Sequence, residues 1–317
     1  MKVSRPYEIR LGSTAFPNLY APIITSLTGL VTKKEPDIDG LSAFDTSDVD
    51  GHGGSLHSFI KQVCESSMVA GVEFVSVESD IELGTTFFKR YQYEQLVSYQ
   101  MLNGKLSNIV FKDEFEKADG EFGVKTLSRY IVFKIGGGSV WYDDGDGLTM
   151  MDEWENSLPD IPVVSIRTGK ELSKFDIIPR FYDVVAMSRV MLSLETQLAN
   201  VLAVVGNPIP IFYGSPDDDG NGLQIGVRDA MVFEDKQAGG FEYAEIKGGG
   251  VDKLQDKLKK VSDDIDKISF GVLRKDDTST VIEAQENQNK SSSFLSDVAE
   301  ELEAKFTSIS ASSPDRR

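Results

Sequence analysis

The chain has 317 residues, 40% hydrophobic and 26% charged, enough to bury a real core in one large domain or two modest ones. Its formal net charge is -18 and its pI about 4.6, which argues against a general nucleic-acid grip built on surplus Lys and Arg, though not against DNA that slides past without sticking. A single cysteine, Cys64, excludes an intramolecular disulfide and points to a reducing compartment. The first ten residues lack the apolar stretch of a signal peptide, and the longest apolar candidate, Val184 to Val205, is broken by Arg189, Glu195, Gln197 and Asn200, so a soluble protein is expected.

Tyr20 to Val31 is an apolar, helix-sized segment with Pro22 near its start, closed by Lys33-Lys34-Glu35-Pro36. Asp37 to Gly54, rich in Asp, Ser and Gly, reads as a surface loop. Ser55 to Met68 places Leu56, Phe59, Ile60 and Val63 on one helical face, with Gly71 as terminator. Val72 to Glu78 then alternates with period two, the pattern of a half-buried strand.

From Phe87 to Tyr142 the pattern predicts short β segments. Asn103-Gly104 is a type I′ hairpin signal; Asn108 to Lys112, Ser128 to Ile135 and Ser139 to Tyr142 read as strands. An acidic loop at Asp143 to Gly147 precedes a buried-looking strand at Ile161 to Ile166. The second half changes character. Tyr182 to Val205 is helical with apolar residues on more than one face, so it needs neighbours on two sides. Short β-like pieces among Gly and Asp turns fill Asn207 to Gly250. A second helix follows, with Val251, Leu254, Leu258, Val261, Ile265 and Ile268 in heptad spacing among Lys and Asp. About 18 residues make a rod of roughly 27 Å. After a short loop, Gly271 to Thr280, a last helix runs to about Phe306, polar at first and apolar later. Ser308 to Arg317 reads as a disordered tail.

The catalytic inventory is thin. Asp217-Asp218-Asp219-Gly220-Asn221-Gly222 fits the first half of a calcium loop, but the closing Glu position holds Arg228, and a cation there repels calcium. His52 and His57 lie at i and i+5, outside the usual zinc pairing on one helix face. Cys64 sits near the buried face of its helix without an activating partner. Gly169-Lys170 lacks the Ser/Thr and the upstream glycine of a phosphate loop. Carboxylate pairs such as Asp143/Asp146 and Asp263/Asp266 are expected by coincidence in so acidic a chain. The cations that stand out are Lys253, Lys257, Lys260 and Lys267 on the heptad helix, and Arg274-Lys275 after it. They read either as a solvated helix face or as a thin ring of positive charge, repeated by symmetry, that brushes phosphates.

Several segments carry a likeness in their order: Tyr20 to Pro36, Leu56 to Val77, Asn103 to Phe111, Leu158 to Val164, Leu194 to Pro208, and Thr278 to Asn287 with the helix after it. Through them the chain resembles the portal proteins of tailed bacteriophages. The resemblance implies an α+β, portal-like fold: a mixed α/β wing over residues 1–181, a first stem helix at 182–206, and a β-rich clip at 207–249. A second stem helix at 250–269, a tunnel loop at 270–280, a C-terminal wing helix at 281–307 and a tail at 308–317 complete it, with the helical crown of larger portals absent or minimal. It implies a non-catalytic ring, usually dodecameric, in the virion at one capsid vertex, assembled in the host cytoplasm without cofactors. The ring would admit double-stranded DNA and contact the major capsid protein, the terminase large subunit and a head-tail adaptor. Val272, Leu273, Arg274, Lys275 and Asp276 would reach into the bore, the four lysines would line the stem, and Asp217, Asp218, Asp219, Arg228, Glu234 and Asp235 would form the clip's contact surface. The alternative from another class is a calcium-regulated acidic binding protein using residues 217–222; an acidic hydrolase is a third.

Overall fold

The computed structural model describes residues 18–34, 38–41, 44–80, 85–120, 122–143, 145, 147–205, 209–213, 224–225, 228–229, 231–233, 240–244, 249–270 and 281–311. The fold is α+β, and the chain divides into two compact units: residues 20–183 with 270–317, and residues 1–19 with 184–269.

The larger unit holds helices α1 (Tyr20–Val31) and α2 (Leu56–Ala70), strands β1 (Val72–Asp80), β2 (Thr85–Gln92), β3 (Leu96–Leu102), β4 (Lys105–Asp119), β5 (Gly123–Lys134), β6 (Gly137–Asp143), β7 (Leu148–Glu155) and β8 (Val163–Arg167), and the short pair β9 (Lys170–Glu171) and β10 (Ile177–Ile178). α2 begins where Ser55 accepts a hydrogen bond from the Ser58 N–H, and ends at Gly71 in the left-handed conformation, φ 87°. Gly71 also joins elements: its carbonyl accepts from the N–H groups of Thr168 and Gly169, at 2.9 and 3.1 Å.

The strands form a three-stranded antiparallel sheet, β2-β1-β8, and a five-stranded antiparallel meander, β3-β4-β5-β6-β7. One core cluster lies between them, built from Val72, Phe74, Tyr91, Ile109, Phe111, Ile131, Phe133, Ile161, Val163, Phe175 and Ile177. Tyr91 stacks on Phe111 with centroids 4.3 Å apart, and Phe74 meets Phe111 and Phe175. The other face of the three-stranded sheet carries Val75, Val77 and Phe88 under helices. There Phe88 stacks on Phe44 at 4.2 Å and meets Phe59 of α2 and Phe306. Phe306 belongs to the last helix (Val281–Ser310), which packs on α1, α2, β1 and β8. Helices, sheet and sheet therefore make three layers, with the first sheet in the middle.

Four expectations need correction. β1 is not half-buried: between two layers both its faces are covered, down to Glu73 and Ser76. The β segments are not all short, since β4 runs 15 residues and β5 12. The 37–54 region is no plain surface loop, because Ile38, Phe44 and Val49 are buried anchors. The last helix does not end at 306–307 with a disordered tail from Ser308: it continues to Ser310, Ile309 is buried, and Ser310 Oγ donates to the Asp39 carbonyl at 2.7 Å.

The smaller unit contains α3 (Tyr182–Val205) after its first two residues, β11 (Ile209–Tyr213), β12 (Gln224–Ile225), β13 (Arg228–Asp229), β14 (Met231–Phe233), β15 (Gly240–Ala244) and α4 (Gly249–Ile268). β11 pairs in parallel with β14 and antiparallel with β15, while β12 and β13 form their own small ladder. The chain leaves the larger unit after Asp183 and re-enters it at Phe270. Near this crossing the rings of Phe181 and Phe270 meet edge to face at 6.0 Å, and both contact Phe294 of α5 (Val281–Ser310).

Candidate functional site

The heptad stripe of α4 faces inward, with Leu258 and Ile265 buried and Val251, Leu254, Val261 and Ile268 partly so. With Val251 and Leu254 at heptad a and d, Lys253, Lys257, Lys260 and Lys267 take c and g positions on one flank, and all four are exposed. Asp252, Asp256 and Asp263 hold b and f positions on the adjoining flank, where Lys259 also takes b, while Asp264 takes g among the lysines, so the sorting by charge is partial. Lys267 lies 3.7 Å from Asp264. Lys253, Lys257 and Lys260 form no ion pair with a described residue, which leaves three ammonium groups within two turns available to an external anion.

α3 buries Val184, Ser188 and Leu194 but exposes Val185, Val190 and Leu202. Its internal hydroxyls are satisfied within the helix: Ser188 Oγ donates to the Val184 carbonyl and Thr196 Oγ1 to that of Leu192, both at 2.8 Å. The exposed Val185, Val190 and Leu202 point in different directions around the helix, so its apolar surface is left open in separate spots and not along one face.

The remaining expected sites fall differently. Val272, Leu273, Arg274, Lys275 and Asp276 lie outside the described residues, as do Asp217, Asp218, Asp219, the rest of the 217–222 loop, Glu234 and Asp235; of Arg228 only the backbone, in β13, is described. His52 is exposed in a turn organised by Asp50, whose carboxylate accepts from the N–H groups of His52 and Gly54, each at 2.9 Å. His57 is in the first turn of α2, where Ser55 is the cap. Burial pushes the Cys64 thiol up to about 12, which keeps it protonated among the core side chains. Gly169 holds a backbone turn against Gly71. Among the described residues no group of three His, Cys, Asp or Glu side chains is placed to hold a metal ion, and no helix is long and apolar enough to cross a membrane.

Two features escaped the sequence reading. The first is Glu73, fully buried on the helix-facing side of β1, with neither carboxylate oxygen hydrogen-bonded. Burial pushes its pKa up to about 8, against the lowering influence of Arg90, whose Nη1 is 3.9 Å away; Glu94 adds to the rise. It is sealed beneath helices and has no open face toward a ligand. The second is the outer part of the β4–β5 hairpin, where Phe122 and Val124 are exposed. Its turn was legible as Asp119-Gly120 with Gly123 three residues on.

A family model described as a domain of unknown function, DUF4055, matches residues 191–310. No curated protein matches the sequence. Among solved structures, a chain from the virion of a native gene transfer agent particle aligns over 98% of this chain and 82% of its own, with a TM-score of 0.51 and 12% identity. A chain from the neck of an empty gene transfer agent particle, computed with C6 symmetry, aligns over 98% and 83%, with a TM-score of 0.50 and 11% identity. At such identities the likeness is one of fold.

Proposed function

We propose that this chain is a structural, non-catalytic subunit of a phage-like virion, and specifically the portal: one copy of a ring at a capsid vertex through which double-stranded DNA enters and leaves. The observation that carries the reading is fold likeness along 98% of the chain to components of gene transfer agent particles, joined to the order helix, β insert, heptad helix, loop, helix. Residues 1–181 with the last helix form the wing, α3 and α4 the stem, residues 207–249 the clip, and residues 270–280 the tunnel loop.

Three properties of the molecule suit that role. α3 exposes Val185, Val190 and Leu202 at separate points around its circumference, as suits a stem helix set between neighbours. The lysine flank of α4, repeated around a ring, offers shallow phosphate contacts, while the chain's net charge of -18 prevents a tight grip. The C6 symmetry of the related neck structure is a subgroup of the twelvefold symmetry that the portal resemblance implies. In this reading the clip meets the terminase large subunit and then the head-tail adaptor, and the wing meets the major capsid protein.

Light scattering and negative-stain imaging of the purified chain test the proposal. Closed rings with a central channel, formed without other virion proteins, are expected; a monomer at micromolar concentration overturns it.

A further inference from the structure

The β4–β5 hairpin extends within its sheet past both neighbours. β3 pairs with β4 only as far as Phe111, and β6 with β5 only as far as Ser128. From Phe115 opposite Leu127 to Asp119 opposite Gly123 the two strands pair, among the described residues, with each other alone. Those five residue pairs make an arm of roughly 17 Å. Its root is anchored, with Leu127 buried and the Phe115 ring against Tyr142. Beyond Glu116 and Thr126 every described side chain is exposed. A two-stranded ribbon with neither face covered is marginal in water, yet this one ends in Phe122, 96% exposed, and Val124, 63% exposed.

The same sheet offers a surface of matching character. Its two edges differ in charge: β7 carries Asp152, Glu153 and Glu155, whereas β3 carries no charged side chain. β3 nevertheless exposes Val97, Tyr99, Met101 and Leu102. Open edges are normally guarded by charge, because an apolar edge invites association. In a chain of net charge -18, an uncharged apolar edge is where a second copy meets the least repulsion. The arm itself is slightly acidic, with Glu116, Asp119 and Glu121 against Lys117 and Lys125. The β7 edge repels it and the β3 edge does not.

An arm cannot reach the far end of its own β3 edge. Leu102 pairs with Lys105, the first residue of β4, and the arm's tip follows Asp119, the last. Fourteen residues of extended strand separate them, on the order of 45 Å. We infer that the arm of one copy packs across the β3 edge of a second copy, setting Phe122 and Val124 against Tyr99, Met101 and Leu102. Arm and edge are different surfaces, so the contact is heterologous and repeats head to tail, the kind of contact from which a ring is built when its rotation closes. The inference rests on the ring proposed above and assigns it a subunit contact.

The test uses the full chain with Phe122→Cys and Leu102→Cys, singly and together, treated with a short bis-maleimide; buried Cys64 does not compete. The double variant is expected to give a covalent ladder beyond the dimer, and each single variant to remain monomeric on a denaturing gel. Phe122→Asp, a change at an exposed position, is expected to raise the concentration needed for half-assembly at least tenfold. Rings from the double variant with no ladder, or Phe122→Asp assembling as the wild type does, overturn the contact while leaving the portal reading intact. Phe122→Cys alone cross-linking to a dimer overturns it in favour of tip-to-tip pairing. A wild-type chain that stays monomeric overturns both.

Discussion

Glu73 makes a quantitative prediction, because its surroundings are fixed on every side. Its carboxyl is buried on β1 beneath α2, near the Arg90 guanidinium, which also donates from Nη1 to Ser66 Oγ at 3.4 Å. The folded pKa is pushed up from 4.5 to about 8, so between those values the folded chain holds a proton that the unfolded chain has lost. Stability from this group is fully present below pH 4.5 and falls as pH rises through about 8, with a slope of about 1.4 kcal/mol per pH unit. At pH 7 the deficit is about 3 kcal/mol. Glu73→Gln keeps shape and burial but removes the titration. Its stability relative to wild type should therefore grow by about 3–4 kcal/mol between pH 5 and pH 8. Urea unfolding followed by tryptophan fluorescence measures this directly. Trp141 and Trp154, the only tryptophans, lie in β6 and β7 of the same compact unit. The pH dependence is the readout, since the Gln amide meets the same shortage of partners at every pH. Parallel stability curves for the two proteins across that range would refute the reasoning.

Three further outcomes follow from packing. Gly71→Ala should cost about 1–3 kcal/mol, because φ is 87° and an added Cβ would lie 2.9 Å from Ile177 Cγ2 and 3.3 Å from the Pro179 backbone; urea unfolding checks it. Phe74→Ala removes a fully buried ring from between Phe111 and Phe175 and should cost about 3–5 kcal/mol in the same assay. Ile309→Ala should cost about 2–4 kcal/mol, since that side chain is 1% exposed; a change within 0.5 kcal/mol would mean that the final helical turn is not part of the packed unit.

The elements with a strong period were legible. α1 and α2 carry their apolar stripes and their stops locally, and the spacing of Val251, Leu254, Leu258, Val261, Ile265 and Ile268 sufficed for α4. β7 was passed over because a bulge opposite Val140 and Trp141 puts Met150 and Met151 in succession, which breaks the alternation a strand is recognised by. The half-buried reading of Val72 to Glu78 leaves one face of β1 open to solvent, whereas both are covered, Glu73 included. Period two does separate the faces of β1, but it does not say what covers each face, and the cover here comes from helices elsewhere in the chain, α2 and α5. The end of α5 was cut short for the same reason: Ile309 follows a polar stretch, and only the distant Asp39 carbonyl and its surroundings make the last turn worth forming.

α3 shows what such patterns can say about assembly. Its apolar residues appear on two faces, and a helix of this composition is stable in water only if both are covered. Its own chain covers Val184 and Leu194 and leaves Val185, Val190 and Leu202 open. α4 in turn gathers Lys253, Lys257, Lys260 and Lys267 on its c and g positions, where pairing with neighbouring aspartates contributes only a few tenths of a kcal/mol per pair to an isolated helix. A lone subunit gains little from either feature. The proposed ring would give both a use: neighbouring copies would cover Val185, Val190 and Leu202, and the lysines, repeated around the axis, would turn single exposed charges into a band of positive potential.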